Sequence, residues 1–336
     1  MVGRHIHMQS PGKVSIITQN RRMREILKMA DKVAVSDSSI LLVGETGVGK
    51  EIFADHIHRV SNRTQGPSVK IGLSAMPPDL MASELFGYEK GAFTSANETK
   101  IGLFEVASKG TVFLDDVDDI PMDIQAKLLR ILECGELTRV GGTRPIPINI
   151  RLISASKVDL NQMVKTHSFR SDLFYRINVV TIEIPPLRER LDDIPLLVEH
   201  FIRRYAPNRN LSITHEALSY LMNYHWPGNL RELRNVIHRA TLFAQKEISL
   251  EEIAPEIRNN NPVETIIGAC SVCFDERGMH FGRIIACLEH KLILEALKRA
   301  GGNQSQAAKL LNLSLSTFRD KMKKYQENPS DCHDLI

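Results

Sequence analysis

Ser39-Ile40-Leu41-Leu42-Val43-Gly44-Glu45-Thr46-Gly47-Val48-Gly49-Lys50-Glu51 is the stretch on which the fold turns. A short apolar strand runs straight into a glycine-rich loop, and residues 51–60 continue at helical spacing. Gly44, Gly47 and Gly49 let the backbone turn tightly, so its N–H groups can face phosphate oxygens. The N-terminus of the following helix adds a positive dipole, and Lys50 supplies a cation. A glycine-rich turn without a ligand is the alternative; the strand-loop-helix context argues against it.

Outward from this loop, strands alternate with helices. Residues 23–35 carry apolar side chains at helical spacing, and residues 69–73 and 111–114 read as buried strands. Residues 81–86 and 124–133 are helical in character, and residues 149–155 and 178–184 are further strands. Such alternation predicts a parallel sheet covered on both faces. Pro185-Pro186 ends it; residues 194–205, 214–224 and 229–244 then read as helices. A linker begins between Pro255 and Pro262, and a last helical block covers roughly residues 284–325.

Composition bounds the function. A chain of 336 residues holds a full-sized core plus a smaller domain. No apolar run approaches the ~20 residues of a membrane-spanning helix, so no membrane partner is expected, and no signal-peptide pattern is present. The start, residues 1–8, is irregular and is set aside. A net charge of +3 is too near neutral to diagnose nucleic-acid binding, but residues 286–325 carry eight Lys and Arg against three acids. That local excess suits a phosphate backbone. Five cysteines, an odd count without a signal peptide, imply reduced thiols and a cytoplasmic protein. Cys270 and Cys273 have metal-pair spacing; a linker that happens to carry cysteines is the plainer reading, since a zinc site needs four convergent ligands.

Further motifs lie beyond the glycine loop. Asp115 ends the apolar run Gly110-Thr111-Val112-Phe113-Leu114, where a carboxylate can hold Mg²⁺, and Asp116 follows it. Gly91-Ala92-Phe93-Thr94-Ser95-Ala96 lies just beyond Glu84-Leu85-Phe86-Gly87. Phe169-Arg170-Ser171-Asp172-Leu173-Phe174-Tyr175-Arg176 and Trp226-Pro227-Gly228-Asn229-Leu230-Arg231-Glu232-Leu233 come later. Near the end, Gly301-Gly302 closes one helix, Asn303 can cap the next, and Asn312-Leu313 makes a short turn before a helix capped by Ser314.

As a set these motifs resemble the AAA+ activators of sigma-54 RNA polymerase, the bacterial enhancer-binding proteins, over nearly the whole chain. The resemblance implies an AAA+ P-loop α/β subdomain over residues 14–185 and a helical lid over 186–258. It further implies a linker over 259–283 and a Fis-type helix-turn-helix domain over 284–326. ATP and Mg²⁺ are the expected cofactors: Gly44, Glu45, Thr46, Gly47, Val48, Gly49, Lys50 and Glu51 hold nucleotide, Arg231 reaches it from the lid, and Asp115 holds the metal. Asp116 positions the attacking water, while Arg170 and Arg176 reach the site of a neighbouring subunit, which implies a homo-oligomeric ring of six or seven. Gly91, Ala92, Phe93, Thr94, Ser95 and Ala96 form the loop that meets sigma-54 in the polymerase holoenzyme. Ser316, Thr317, Arg319 and Asp320 lie where they can read bases of an enhancer-like double-stranded site, and Lys321, Lys323 and Lys324 meet phosphates. A helical hairpin used for dimerisation is the other reading of this end.

Several positions depart from the family pattern. Asp116 stands where glutamate is usual, which shortens the carboxylate's reach by about 1.5 Å. Gly72 stands where an asparagine restrains that glutamate, Ser154-Ala155-Ser156-Lys157 stands where a Thr-Asn pair is usual, and Ser95 replaces a glycine. An ATP-binding, weakly or non-hydrolysing DNA-binding regulator is therefore the competing function. Only about a dozen residues precede the ATPase segment. The expectation is control by a separate regulatory protein, or a chain shortened at its start.

Overall fold

The computed structural model describes residues 16–253 and 289–327, apart from Ser95, Lys291, Glu295, Lys298 and Arg299. They fall into two compact units that divide after Ile253.

The larger unit is built on a five-stranded parallel sheet. Its strands are β1 (Ile40–Val43), β2 (Ser68–Gly72), β5 (Thr111–Asp115), β8 (Arg151–Ser156) and β9 (Val180–Glu183), in the order β2-β5-β8-β1-β9. Side chains alternate between two buried faces. Ile40, Leu42, Phe113, Ile153 and Ala155 pack with Met23 and Ala30 of α1 (Arg21–Ala34) and with Phe53 and Ile57 of α2 (Lys50–Arg59). Leu41, Val112, Leu114 and Leu152 face the other way, onto α3 (Pro78–Phe86), α5 (Met122–Cys134) and α7 (Ser171–Ile177). Because both faces are covered, β1 and the Val112–Leu114 stretch of β5 read as unbroken apolar runs.

Arg151, 1% exposed, puts a charged side chain into fully buried β8. Its guanidinium donates to the Val33 and Ala34 carbonyls. It thus satisfies the C-terminal carbonyls of α1 that have no partner within the helix. At the other end of α1, Asn20 caps Met23 N. Ahead of that cap, the buried Asp193 carboxylate accepts from Thr18 Oγ1, Gln19 N and Asn20 N.

Short elements too brief for periodicity complete the unit. A hairpin of β3 (Gly87–Tyr88) and β4 (Lys100–Ile101) carries the residue 91–96 loop, and α4 (Leu103–Val106) follows. A second hairpin, β6 (Glu136–Leu137) and β7 (Ile146–Pro147), lies after α5; α6 (Leu160–Lys165) precedes α7. After Pro185-Pro186 come α8 (Ile194–Tyr205), α9 (His215–Met222) and α10 (Asn229–Phe243). This region is not wholly helical, as the sequence suggested: β10 (Ser212–Ile213) pairs in parallel with β11 (Glu247–Ile248).

The smaller unit has helical residues at 289–290, 292–294 and 296–297, then α11 (Gln304–Leu310) and α12 (Leu315–Glu327). Ala307, Ala308 and Phe318 close its core with Ile293 and Ala296. Asn303 caps α11 by accepting from Ser305 N and Gln306 N, and Ser314 Oγ accepts from Thr317 N at 3.1 Å, both as expected. Asn312 takes the left-handed turn conformation between them.

Trp226, fully buried between Leu221 and α10, donates from Nε1 to Leu221 O at 2.8 Å. Trp226→Ala is expected to cost about 3–5 kcal/mol from the cavity and the orphaned carbonyl. Denaturant unfolding followed by circular dichroism checks this, since the variant has no other tryptophan. A loss under about 1 kcal/mol would place the ring outside the lid's core.

Candidate functional site: the glycine loop and its carboxylates

The glycine loop is held from two sides. On the sheet side, Gly44 N donates to Ser156 O of β8 at 3.2 Å. On the lid side, Leu230 N donates to Gly47 O at 3.0 Å. Gly47 has φ +81°, and a Cβ there would lie 2.4 Å from Gly228 O and 3.2 Å from Arg231 Cβ. Only glycine fits both the conformation and the space. Arg231 is thereby placed beside the loop, with its side chain exposed.

Asn229 links the two parts. It is fully buried and left-handed at φ 51°. Its Nδ2 donates to Glu45 Oε2 at 3.0 Å and Thr46 O at 3.1 Å, and its Oδ1 accepts from Leu187 N at 2.7 Å. The start of α10 is served instead by Glu232, whose Oε2 accepts from Gly228 N at 2.8 Å. Arg188 adds a two-pronged pair to Glu45, at 2.6 and 2.9 Å. That pair, followed by the amide of Asn229, holds the Glu45 carboxyl below its usual range despite partial burial.

Lys50 is 7% exposed at the start of α2, and its Nζ donates to Gly44 O at 2.7 Å and Glu45 O at 3.3 Å. Burial pulls its pKa down; Asp115, Asp116 and Asp118 pull it back up. Asp115 shows the converse. Burial and the neighbouring Asp116 push its carboxyl up, while Lys50 opposes them. Two adjacent carboxylates beside one buried ammonium make a site that favours added positive charge. Glu51 points elsewhere: its Oε1 is 3.1 Å from Lys70 Nζ, which also meets Asp55 at 2.6 Å. That geometry ties α2 to β2 and sets Glu51 apart from the other loop residues.

Asp116 sits in the left-handed region, φ 57° and ψ 51°, at the end of β5. Its N–H donates to Asp115 Oδ1 at 3.1 Å, and its Oδ2 accepts from Ser74 Oγ at 2.6 Å. Lys157 Nζ approaches the same acidic run, 3.0 Å from Asp119, 3.3 Å from Asp118 and 4.0 Å from Asp116. Those carboxylates, Asp119 first, push Lys157 up to about 12.

Arg176 lies on α7 and Arg170 immediately precedes that helix, and each is engaged close to home. Arg170 pairs with Asp172 through Nε and Nη2 at 3.0 and 2.7 Å. Its backbone N–H donates to Oε1 of fully buried Gln125 at 2.8 Å. Arg176 donates to Leu132 O at the end of α5. The structure does not bring either guanidinium to the glycine loop of its own chain.

The residue 91–96 loop closes on itself. Gly91 N donates to Ala96 O at 2.9 Å, Ala96 N donates to Phe93 O at 2.9 Å, and Ala96 is buried. Phe93 is 41% exposed and meets Tyr88 edge-to-face at 4.8 Å. Thr94 is exposed; Ser95 lies outside the described residues. The loop rests on the second hairpin, where a Cβ at Gly141 would be 2.6 Å from Ala92 Cβ. Arg139 pins its base, at 2.7 Å from Glu105 and 3.0 Å from Glu89.

In the smaller unit, Ser316, Thr317 and Arg319 are exposed at the start of α12. Ser316 and Thr317 cluster on Ser314 Oγ at 2.9 and 2.7 Å, and Arg319 Nε donates to Gln304 at 3.1 Å. Lys321 pairs with Glu289 at 2.6 Å, so it also fastens helices together. Lys323 is exposed; the Lys324 side chain, Cys270 and Cys273 lie outside the described residues. Ser74, Gln125 and Asn229 were not anticipated as site residues. Of the three, only Asn229 had a local signal, at a helix start.

Comparison with known proteins fits this arrangement. The sigma-54 interaction domain family matches residues 16–183, an AAA+ ATPase lid domain matches 188–266, and the Fis family of bacterial regulatory proteins matches 285–325. The transcriptional regulatory protein FlbD of Caulobacter vibrioides is 39% identical over 93% of this chain and 70% of its own length. The DNA-binding transcriptional activator HyfR of Escherichia coli is 52% identical over 68% of this chain, but over only 35% of its own length. The crystal structure of NtrX from Brucella abortus in complex with ATP superposes with a TM-score of 0.68 at 30% identity, covering 94% of this chain and 69% of that one. Among the described residues, no helix is long and apolar enough to cross a membrane. Nucleotide loop, lid, loop hairpin and helix-turn-helix unit together place the chain in the sigma-54-dependent transcription activators, AAA+ ATPases that carry a Fis-type DNA-binding domain.

Proposed function

We propose that this chain couples MgATP hydrolysis to the opening of promoter DNA by sigma-54 RNA polymerase. The observation that carries this reading is the placement of charge beside the glycine loop, where buried Lys50 is bonded to the loop carbonyl of Gly44 and Asp115 ends β5 with Asp116 bonded to it. Lys50 and the loop N–H groups hold the β- and γ-phosphates, and Arg231 reaches them from the lid. Asp115 is the carboxylate that would hold Mg²⁺, and the surplus negative charge with Asp116 fits a divalent ion. When bound, that ion would neutralise charge developing on the phosphate oxygens. The reaction is in-line attack: water oxygen bonds to the γ-phosphorus, the bond to the β-γ bridging oxygen breaks, and the water proton passes to Asp116. Arg170 and Arg176 leave their local partners to stabilise that charge in a neighbouring subunit, which makes the working form a ring. The working boundaries are residues 14–185, 186–258, 259–283 and 284–326, and the setting is the cytoplasm.

The residue 91–96 loop is the contact to sigma-54. Its exposed Phe93 offers an aromatic anchor of the kind that dominates small interfaces. The helix-turn-helix unit binds double-stranded DNA, with Ser316, Thr317 and Arg319 toward bases and Lys321, Lys323 and Lys324 toward phosphates. A weakly hydrolysing, nucleotide-gated DNA-binding regulator is the second reading. It is favoured by Lys157, which brings a cation within 4.0 Å of Asp116.

Two variants test the proposal. Lys50→Ala is expected to abolish ATP binding, measured by calorimetry; retained tight binding would contradict the site. Thr94→Ala is expected to keep wild-type ATPase activity and lose transcription from a sigma-54 promoter. An unaltered promoter response would remove the loop from the polymerase contact.

A further inference from the structure

We infer that the Ser74 hydroxyl is a positioning group that holds the Asp116 carboxylate toward β2 and so restrains hydrolysis. The inference rests on the proposed role of Asp116. Strand register pairs Gly72 of β2 with Asp115 of β5, so the turn after Gly72 lies beside Asp116. Gly72 itself offers nothing, and no atom lies within 4 Å of where its Cβ would be. The chain then bends through a short 3₁₀ turn, Leu73–Ala75, in which Leu73 is buried and Ser74 is exposed. From there Ser74 Oγ donates to Asp116 Oδ2 at 2.6 Å, a length typical of a hydroxyl bound to an ionised carboxylate.

The Asp116 backbone has little freedom of its own. It is left-handed, and its N–H is bonded to the Asp115 carboxylate. What remains adjustable is the direction of the carboxylate. Lys157 competes weakly for it, since its Nζ is 4.0 Å from Asp116 but 3.0 and 3.3 Å from Asp119 and Asp118. Sheet order sets the consequence. β8 separates β5 from β1 and the glycine loop, whereas β2, with Ser74, is the opposite neighbour of β5. The hydroxyl thus draws an already short carboxylate away from the phosphate side. Removing it raises the fraction of time the carboxylate spends within reach of the attacking water.

The test is steady-state ATP hydrolysis by the full chain carrying Ser74→Ala, Ser74→Thr, Asp116→Asn or Lys50→Ala. Loss of one charge-assisted hydrogen bond at this exposed turn predicts a rise in kcat of about five- to tenfold in Ser74→Ala, with KM unchanged. Ser74→Thr keeps the hydroxyl and is expected to restore the wild-type kcat. A Ser74→Ala kcat equal to or below wild type, or absence of turnover in both proteins, would overturn the restraint. So would a rise shared by Ser74→Thr, because the hydroxyl would then not be the cause. Turnover that survives in Asp116→Asn would instead remove Asp116 from the chemistry, a separate failure that the Ser74 data alone would not produce.

Discussion

The phosphate-binding loop keeps its shape because the sheet grips it at Gly44 and the lid grips it at Gly47. The lid backbone at Gly228 comes so near Gly47 that no side chain fits, and buried Asn229 spends its amide on Glu45, Thr46 and Leu187. Each of these bonds replaces water that the buried groups have lost, so the contact is costly to open partway. Lid position and loop shape are therefore one variable. Any ligand that reshapes the loop acts on α10, and through Arg188 on the segment that joins the lid to the sheet.

A second linkage runs along the carboxyl ends of the strands. Asp115 and Asp116 at β5, Ser74 after β2 and Lys157 after β8 meet at the carboxyl end of the sheet, where crevices in parallel α/β folds bind ligands. The turn that carries Ser74 runs into α3, and α3 ends where the β3–β4 hairpin and its loop begin. Chemistry and the surface loop are thus joined by the sixteen residues of continuous chain between Ser74 and Gly91. The three departures at Gly72, Asp116 and Lys157 are neighbours in space. In the folded chain Ser74, rather than the residue at position 72, supplies the hydrogen bond to the acid.

Much of this was legible in the sequence, for physical reasons. β1 and β5 announce themselves as apolar runs because both faces are buried, and the glycine loop because its spacing serves one geometry. Helix ends at Asn303 and Ser314 could be read from capping chemistry, which is local. The two-residue strands of the hairpins and of β10 and β11 have no periodicity to detect. Ser74 and Asp116 are 42 positions apart, and Asn229 and Glu45 are 184 apart. Contacts of that kind depend on register and on lid placement, neither of which a local pattern encodes. Glu51 was grouped with the nucleotide ligands by position alone, whereas its geometry follows Lys70 on a neighbouring strand.

The proposed reading requires that the site be completed by a neighbouring copy. Arg170 faces Asp172 and Arg176 faces Leu132 within their own chain, so neither serves its own glycine loop. Steady-state MgATP hydrolysis per chain, measured across protein concentration for wild type and Arg170→Ala, tests this most directly. The account predicts turnover that climbs cooperatively with concentration in the wild type and stays near zero in the variant. Turnover per chain that is independent of concentration and retained in Arg170→Ala would contradict it.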